Sequence, residues 1–247
     1  MKVSVLLPVH NGGKTLPQTL VSLLSQDYPD FEVIVVDDGS TDETYHVAKW
    51  FKRHYPDKIK LFRIYHRRLP EDITVGPAYY PRRVAYEHAS GEYILEFSCH
   101  VTVPENFIST YVREIEGCDM VGCRIIPNAN LPLRILFHAW MTVSNLCYYP
   151  MFRRQKVNPY PLGEDAELNL RIEKKKRTDK TYAVYHGQTL KRFFKRMLIY
   201  GNARAWLMKK HGFNLRYVVL ALSTVFLGYG FGFFLGLLGV NLRKWVS

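Results

Sequence analysis

Over the first two hundred positions, apolar residues fall into short runs of strand length separated by stretches with helical spacing. Residues 3–7, 32–37, 60–65, 93–97 and 119–126 read as strands. Residues 15–26, 41–54, 77–88 and 105–115 read as helices. This alternation predicts an α/β fold, a mostly parallel sheet sandwiched by helices. In such a sheet, ligands bind beyond the carboxyl ends of the strands, so the residues ending each strand carry the first information about chemistry.

The first strand runs into PVHNGG and the second into VVDDGSTDET. Ser40 followed by Glu43 reads as a capping box opening the second helix, with Asp37 and Asp38 projecting from the strand end ahead of it. Asp-Gly-Ser is also ordinary turn composition, and Asp42 suits a helix N-terminus. Two adjacent carboxylates at a strand end suit the acceptance of hydrogen bonds from a base or a ribose.

The C-terminal pattern is different. Residues 217–240, YVVLALSTVFLGYGFGFFLGLLGV, contain no charged residue. At about 1.5 Å per helical residue they are long enough for a hydrocarbon core of roughly 30 Å, which predicts one apolar membrane segment. The alternative is a buried or re-entrant hairpin broken at the glycine-rich centre. Residues 189–216, TLKRFFKRMLIYGNARAWLMKKHGFNLR, interleave cations with aromatics. They read as a basic interfacial helix against anionic lipid, with an ordinary solvated basic helix as the alternative. Three regions follow: 1–188, 189–216 and 217–247. The basic flank places the N-terminal domain on the cytoplasmic side of a cell membrane, although Arg243 and Lys244 oppose that orientation.

A chain of 247 residues that is 47% hydrophobic can bury one sizeable core. Lys+Arg 34 against Asp+Glu 22 gives a formal net charge of +12, which suits an anionic partner. No nucleic-acid motif is recognisable, and the cations concentrate beside the apolar C-terminus, so nucleic acid is not expected among the partners. Cys99, Cys118, Cys123 and Cys147 have no metal-ligand or redox spacing and read as unpaired thiols.

The stretch VSVLLPVHNGGKTLPQTLVSLLSQDYPDFEVIVVDDGSTDET resembles the opening of the family 2 glycosyltransferases with the GT-A fold. The likeness continues through GPAYYPRRVAYEHASGEYIL and GEDAELNLRI. It implies a nucleotide-sugar donor of the UDP or GDP class, with the base held near Pro8, Val9, Asn11 and Asp38 and the diphosphate approached by Arg82. It also implies that Asp165, beside Glu164 at the opening of the GEDAEL helix, is the catalytic general base toward the acceptor hydroxyl.

The resemblance breaks where related enzymes carry an Asp-x-Asp motif for a divalent ion, since Ser98, Cys99 and His100 stand there. In one reading His100 and His186 supply nitrogen ligands to a divalent cation, manganese better than magnesium, while Ser98 bonds a ribose hydroxyl. In another the cation is dispensable, and Arg82, Arg83 or the segment FRRQK stabilises the diphosphate directly. In a third the site binds nucleotide or a partner without transferring sugar. Retention of Asp38, Arg82, Glu164 and Asp165 weighs against that last reading.

Residues 127–162 read equally as the lining of an acceptor groove and as a core-packing helix. Proximity to a membrane segment favours a lipid-linked or glycan acceptor such as one built on polyprenyl phosphate. Processive members of the family usually show Gln-x-x-Arg-Trp after the general base, and GQTLKRFFKRML has no such pattern, which favours single additions.

Overall fold

Strand β1 (Val3–Val9) is buried at every position except Pro8, as expected of a mostly apolar strand covered on both faces. It lies in register beside β2 (Phe31–Asp38) and β4 (Tyr93–Glu96), and β2 in turn pairs with β3 (Ile59–Ile64), all parallel. The computed structural model describes residues 1–65, 78–144, 148–157, 168–169, 171–187, 189–211, 235 and 237–238.

Helices α1 (Leu16–Leu24), α2 (Thr44–His54) and α3 (Tyr79–Glu87) connect these parallel strands. Helix α3 packs on β1 and β2, and α1 packs on α2. Helix α4 (Phe107–Glu114) follows β5 (Val101–Thr102). The sheet is completed by β6 (Met120–Pro127), β7 (Tyr148–Arg153) and β8 (Lys175–Tyr185), giving eight strands in the order β3-β2-β1-β4-β7-β6-β8-β5. Strand β7 runs antiparallel to both β4 and β6, and β5 runs antiparallel to β8. The parallel half therefore carries the expected α/β order, and an antiparallel half extends it.

Strand β7 falls within the stretch read as either groove or helix. Its pattern hides it: Pro150 interrupts the run, and a proline ordinarily demotes a strand reading. Only the pairing of Leu95 with Met151 and Ile94 with Phe152 reveals why it is buried. The preceding α5 (Leu131–Ser144) is the helix that the alternative reading expected.

The capping box is corrected. Helix α2 begins at Thr44 with Glu43 at its N-cap and no side-chain cap from that residue. Ser40 Oγ instead accepts the Asn11 amide at 2.9 Å, and Asp42 Oδ1 accepts the Thr44 amide at 3.0 Å. The Ser-x-x-Glu spacing was satisfied locally, but a loop from β1 competes for the serine.

One buried carboxylate ties the opposite end of the sheet together. Glu32 on β2 is 3% exposed, 2.8 Å from Lys60 Nζ, and accepts hydrogen bonds from Ser4 Oγ at 2.6 Å and the Ser90 amide at 2.8 Å. Charge and hydrogen bonds together offset its desolvation.

The chain divides into two units. The first comprises residues 1–69, 77–126 and 146–186, and the second residues 70–76, 127–145 and 187–247. In the second, α6 (Leu190–His211) brings the Phe193 ring within 5.6 Å of Phe137 on α5. Among the described residues no helix is long and apolar enough to cross a membrane. The expected membrane segment, 217–240, lies outside the described residues apart from Leu235, Leu237 and Leu238.

Candidate functional site

The chain leaves β1 through a tight turn. Asn11 takes the left-handed conformation with φ 49°, which asparagine tolerates better than most residues. Gly12 follows, and a Cβ there would stand 2.9 Å from both Cys99 Sγ and Val9 Cγ2, so only glycine lets the turn lie against the segment after β4. Hydrogen bonds lock this turn to the loop after β2. The Gly12 amide donates to Thr44 Oγ1 at 2.8 Å, and the Gly13 amide to Asp42 Oδ2 at 3.1 Å. The Thr41 amide donates to Asn11 Oδ1 at 2.9 Å. Burial would raise the Asp42 carboxyl, but the bonds it accepts from the Thr44 hydroxyl, the Thr44 amide and the Gly13 amide hold it below the usual range.

Beside the turn, His10 Nδ1 lies 2.7 Å from the Asp38 carbonyl oxygen, and its Nε2 lies 3.2 Å from Asn11 Nδ2. Under the loop, Asp37 is fully buried and ion-paired to Arg63 Nε at 3.0 Å. The Arg63 guanidinium also donates to the Ser40 carbonyl at 3.0 Å and lies over the rings of Tyr45 and Tyr65, 4.5 and 5.2 Å from their centroids. The sequence reading did not single out His10, Arg63, Tyr45 or Tyr65. A buried carboxylate at a strand end needs a cation, and Arg63 on the neighbouring strand was the signal for it.

The third wall comes from β4. The Phe97 amide donates to the Leu6 carbonyl at 3.0 Å, which carries Ser98, Cys99 and His100 to the edge occupied by the β1 turn. Cys99 is buried, and burial pushes its thiol up to about 12, so it is a neutral thiol packed under Gly12. His100 Nδ1 lies 2.9 Å from Thr15 Oγ1. The His186 amide donates to the His100 carbonyl at 2.8 Å, continuing the β5–β8 ladder, while His186 Nε2 lies 2.8 Å from Thr102 Oγ1.

The structure thus brings Pro8, Val9, Asn11, Asp38, Ser98 and His100 to one edge of the sheet, at the ends of β1, β2 and β4. His186 joins His100 through the backbone, but each ring lies against a different hydroxyl. Among the described residues no group of three histidine, cysteine, aspartate or glutamate side chains could hold a metal ion. Of the residues expected to hold a cation, the His100 ring lies against Thr15 and the His186 ring against Thr102, and Ser98 is a poor ligand beside them. Glu164 and Asp165 lie outside the described residues.

Arg82, on α3, is 3.8 Å from the buried Glu96 carboxylate at the end of β4. Arg83 donates instead to Glu87 at 2.8 Å along the same helix. The segment FRRQK is corrected as a diphosphate-binding element. Arg153 pairs in register with Tyr93 and lies 3.5 Å from Glu92, and Arg154 donates to the Ala89 carbonyl, all at the start of β4. That is the end of the sheet away from Asp38 and Ser98, because β7 runs antiparallel.

Similarities to known proteins bear on the family and the fold. Residues 4–181 match the model of the family described as Glycosyl transferase family 2. Poly(ribitol-phosphate) beta-N-acetylglucosaminyltransferase TarS of Staphylococcus aureus is 37% identical over 97 residues, covering 38% of this chain and 15% of that protein's length. A dolichyl N-acetyl-alpha-D-glucosaminyl phosphate 3-beta-D-2,3-diacetamido-2,3-dideoxy-beta-D-glucuronosyltransferase of Methanococcus voltae is 22% identical over 252 residues, covering 86% of this chain and 76% of that protein. Among solved structures, mannosyltransferase PcManGT from Pyrobaculum calidifontis, in complex with GDP-Man and Mn2+, shares the fold with a TM-score of 0.70 at 15% identity, covering 98% of this chain and 76% of the other. With the family model matching most of its length, the chain belongs to glycosyl transferase family 2.

Proposed function

We propose that the protein is a membrane-associated, inverting glycosyltransferase that moves a single sugar from a nucleotide-diphosphate sugar to a lipid-linked or glycan acceptor. The observation that carries the reading is the convergence of Pro8, Val9, Asn11, Asp38, Ser98 and His100 at the carboxyl edge of the parallel sheet, within a family 2 domain. Asp38 and the β1 turn would take the nucleoside, and Ser98 and His100 would face its ribose and phosphates. Asp165, with Glu164 beside it, would accept the proton of the acceptor hydroxyl as that oxygen attacks the sugar carbon from the face opposite the departing nucleoside diphosphate.

The similarity to a dolichyl-phosphate-linked glycan transferase over 86% of the chain supports a lipid-linked acceptor. So do the basic α6 and the apolar stretch after it, which would hold the domain at the cytoplasmic face of a membrane. A second reading rests on the neutral Cys99 thiol and the altered motif around it: a domain that binds nucleotide without transfer.

Titration calorimetry with UDP and GDP, each in Mn2+ and in EDTA, tests the donor site before the acceptor is known. Binding of either nucleotide supports it, and binding of neither at any condition overturns it. Transfer with any donor and acceptor pair excludes the second reading, and with such a pair Asp165→Asn tests the base. Transfer should fall by about a thousandfold or more while nucleotide affinity stays within a few-fold. Full transfer by that variant removes Asp165 from the chemistry.

A further inference from the structure

The β1 turn contains a titratable group that the donor-site reading does not use. His10 is exposed at the mouth of the site, and its two ring nitrogens meet partners of opposite kind. Nδ1 lies 2.7 Å from the Asp38 carbonyl oxygen, which can only accept, so Nδ1 must carry a proton. Nε2 lies 3.2 Å from Asn11 Nδ2.

The Asn11 amide has one orientation available, because its Oδ1 accepts the Thr41 amide at 2.9 Å and the Thr41 hydroxyl at 3.4 Å. Its Nδ2 therefore donates to His10, and Nε2 must be a bare lone pair. The two constraints come from different elements and assign the same neutral tautomer.

We infer that His10 is the positioning residue of the donor site: its neutral imidazole orients the Asn11 side chain, and its protonation breaks that arrangement. A proton on Nε2 would place N–H against N–H. Either the ring would leave the Asp38 carbonyl or the Asn11 amide would turn and give up Thr41. Asn11 holds a left-handed backbone, its amide donates to Ser40 Oγ at 2.9 Å, and turning its side chain would give up the Thr41 bonds that help hold the turn.

The titratable and charged groups that meet the β1 turn are Asp38, whose carbonyl faces Nδ1, Asp42, which accepts the Gly13 amide, the buried Asp37–Arg63 pair under the loop, and the Cys99 thiol with the His100 ring beside it. Asp37 is neutralised by Arg63, and Asp42 is occupied by amides and a hydroxyl. The consequence is a donor affinity that is lower once the imidazole has taken up a proton.

This inference rests on the donor-site reading, and its test separates the two. A long-range proton–nitrogen NMR spectrum of the free protein at about pH 8 should show the His10 proton on Nδ1. A proton on Nε2 there overturns the inference whatever the nucleotide does. The affinity for UDP and GDP is then measured at about pH 8 and about pH 5.5 in the wild type, His10→Gln and His10→Ala. Glutamine can offer an acceptor oxygen to Asn11 and cannot take up a proton.

Ionisation of the nucleotide's terminal phosphate affects all three proteins alike. The wild type should therefore lose about tenfold more affinity between the two pH values than His10→Gln does. His10→Ala should be weak at both. Equal pH ratios in the wild type and His10→Gln overturn the positioning role. If the wild type binds neither nucleotide, the donor-site reading falls while the spectrum still decides the tautomer.

Discussion

Thr15 Oγ1 lies 2.9 Å from His100 Nδ1, joining residues 85 positions apart. Thr15 is the N-cap of α1, yet its side chain caps nothing there. Its hydroxyl holds the imidazole that stands in the altered motif. Thr15→Val keeps the shape and removes the hydroxyl. We expect the melting temperature to move by no more than about 2–3 °C, because no cap is lost. Nucleotide affinity, measured by calorimetry, should drop several-fold, by about the worth of one hydrogen bond. A melting-temperature loss without any affinity change would make the pair structural.

Arg82 faces the buried Glu96, and the resemblance also assigns it to the diphosphate. Arg82→Met leaves a buried carboxylate without that cation and should cost about 3 kcal/mol in denaturant unfolding. Adding Glu96→Gln should restore much of the stability. Nucleotide affinity would not return in the double variant if the arginine also meets phosphate. If affinity returns with stability, Arg82 serves the fold alone.

Glu32 predicts an acid limb in the stability curve. Burial is the largest influence on its carboxyl and would raise it, but Lys60, Ser4 and Ser90 hold it down to about 2. A folded value below the unfolded one, about 4.3, stabilises the protein fully above that pH, and the contribution fades as pH falls toward 2. The gap corresponds to about 3 kcal/mol. Denaturant titrations at pH 6 and pH 3.5 should show Glu32→Gln less stable at the higher pH and with a flatter dependence between them. Parallel curves for the two proteins would exclude Glu32 as the source.

Gly12→Ala tests the close approach of the β1 turn to Cys99. The added methyl would meet Cys99 Sγ and Val9 Cγ2, each at 2.9 Å, and overpacking of this kind costs about 1–3 kcal/mol. Cys99→Ala in the same chain should recover part of that loss, because the Val9 contact remains. Strict additivity of the two substitutions would contradict the contact.

The parallel core and the edge where its strands end were legible in the sequence because both follow from local order. Mostly apolar runs mark strands buried on both faces, and the turn residues after β1 and β2 mark the edge where those strands end. The family motifs pointed to Pro8, Val9, Asn11 and Asp38, which the fold does gather. Tertiary structure alone decided which partners meet. It placed β7 beside β4 despite Pro150, took Ser40 from its expected cap to bind Asn11, and carried FRRQK to the far end of the sheet. It likewise set the His10 ring against the Asp38 carbonyl and joined Thr15 to His100. Side-chain hydrogen bonds depend on ångström-scale positions of residues distant in sequence, whereas apolar periodicity is written in neighbours, so the strands could be read along the chain and the site's wiring could not.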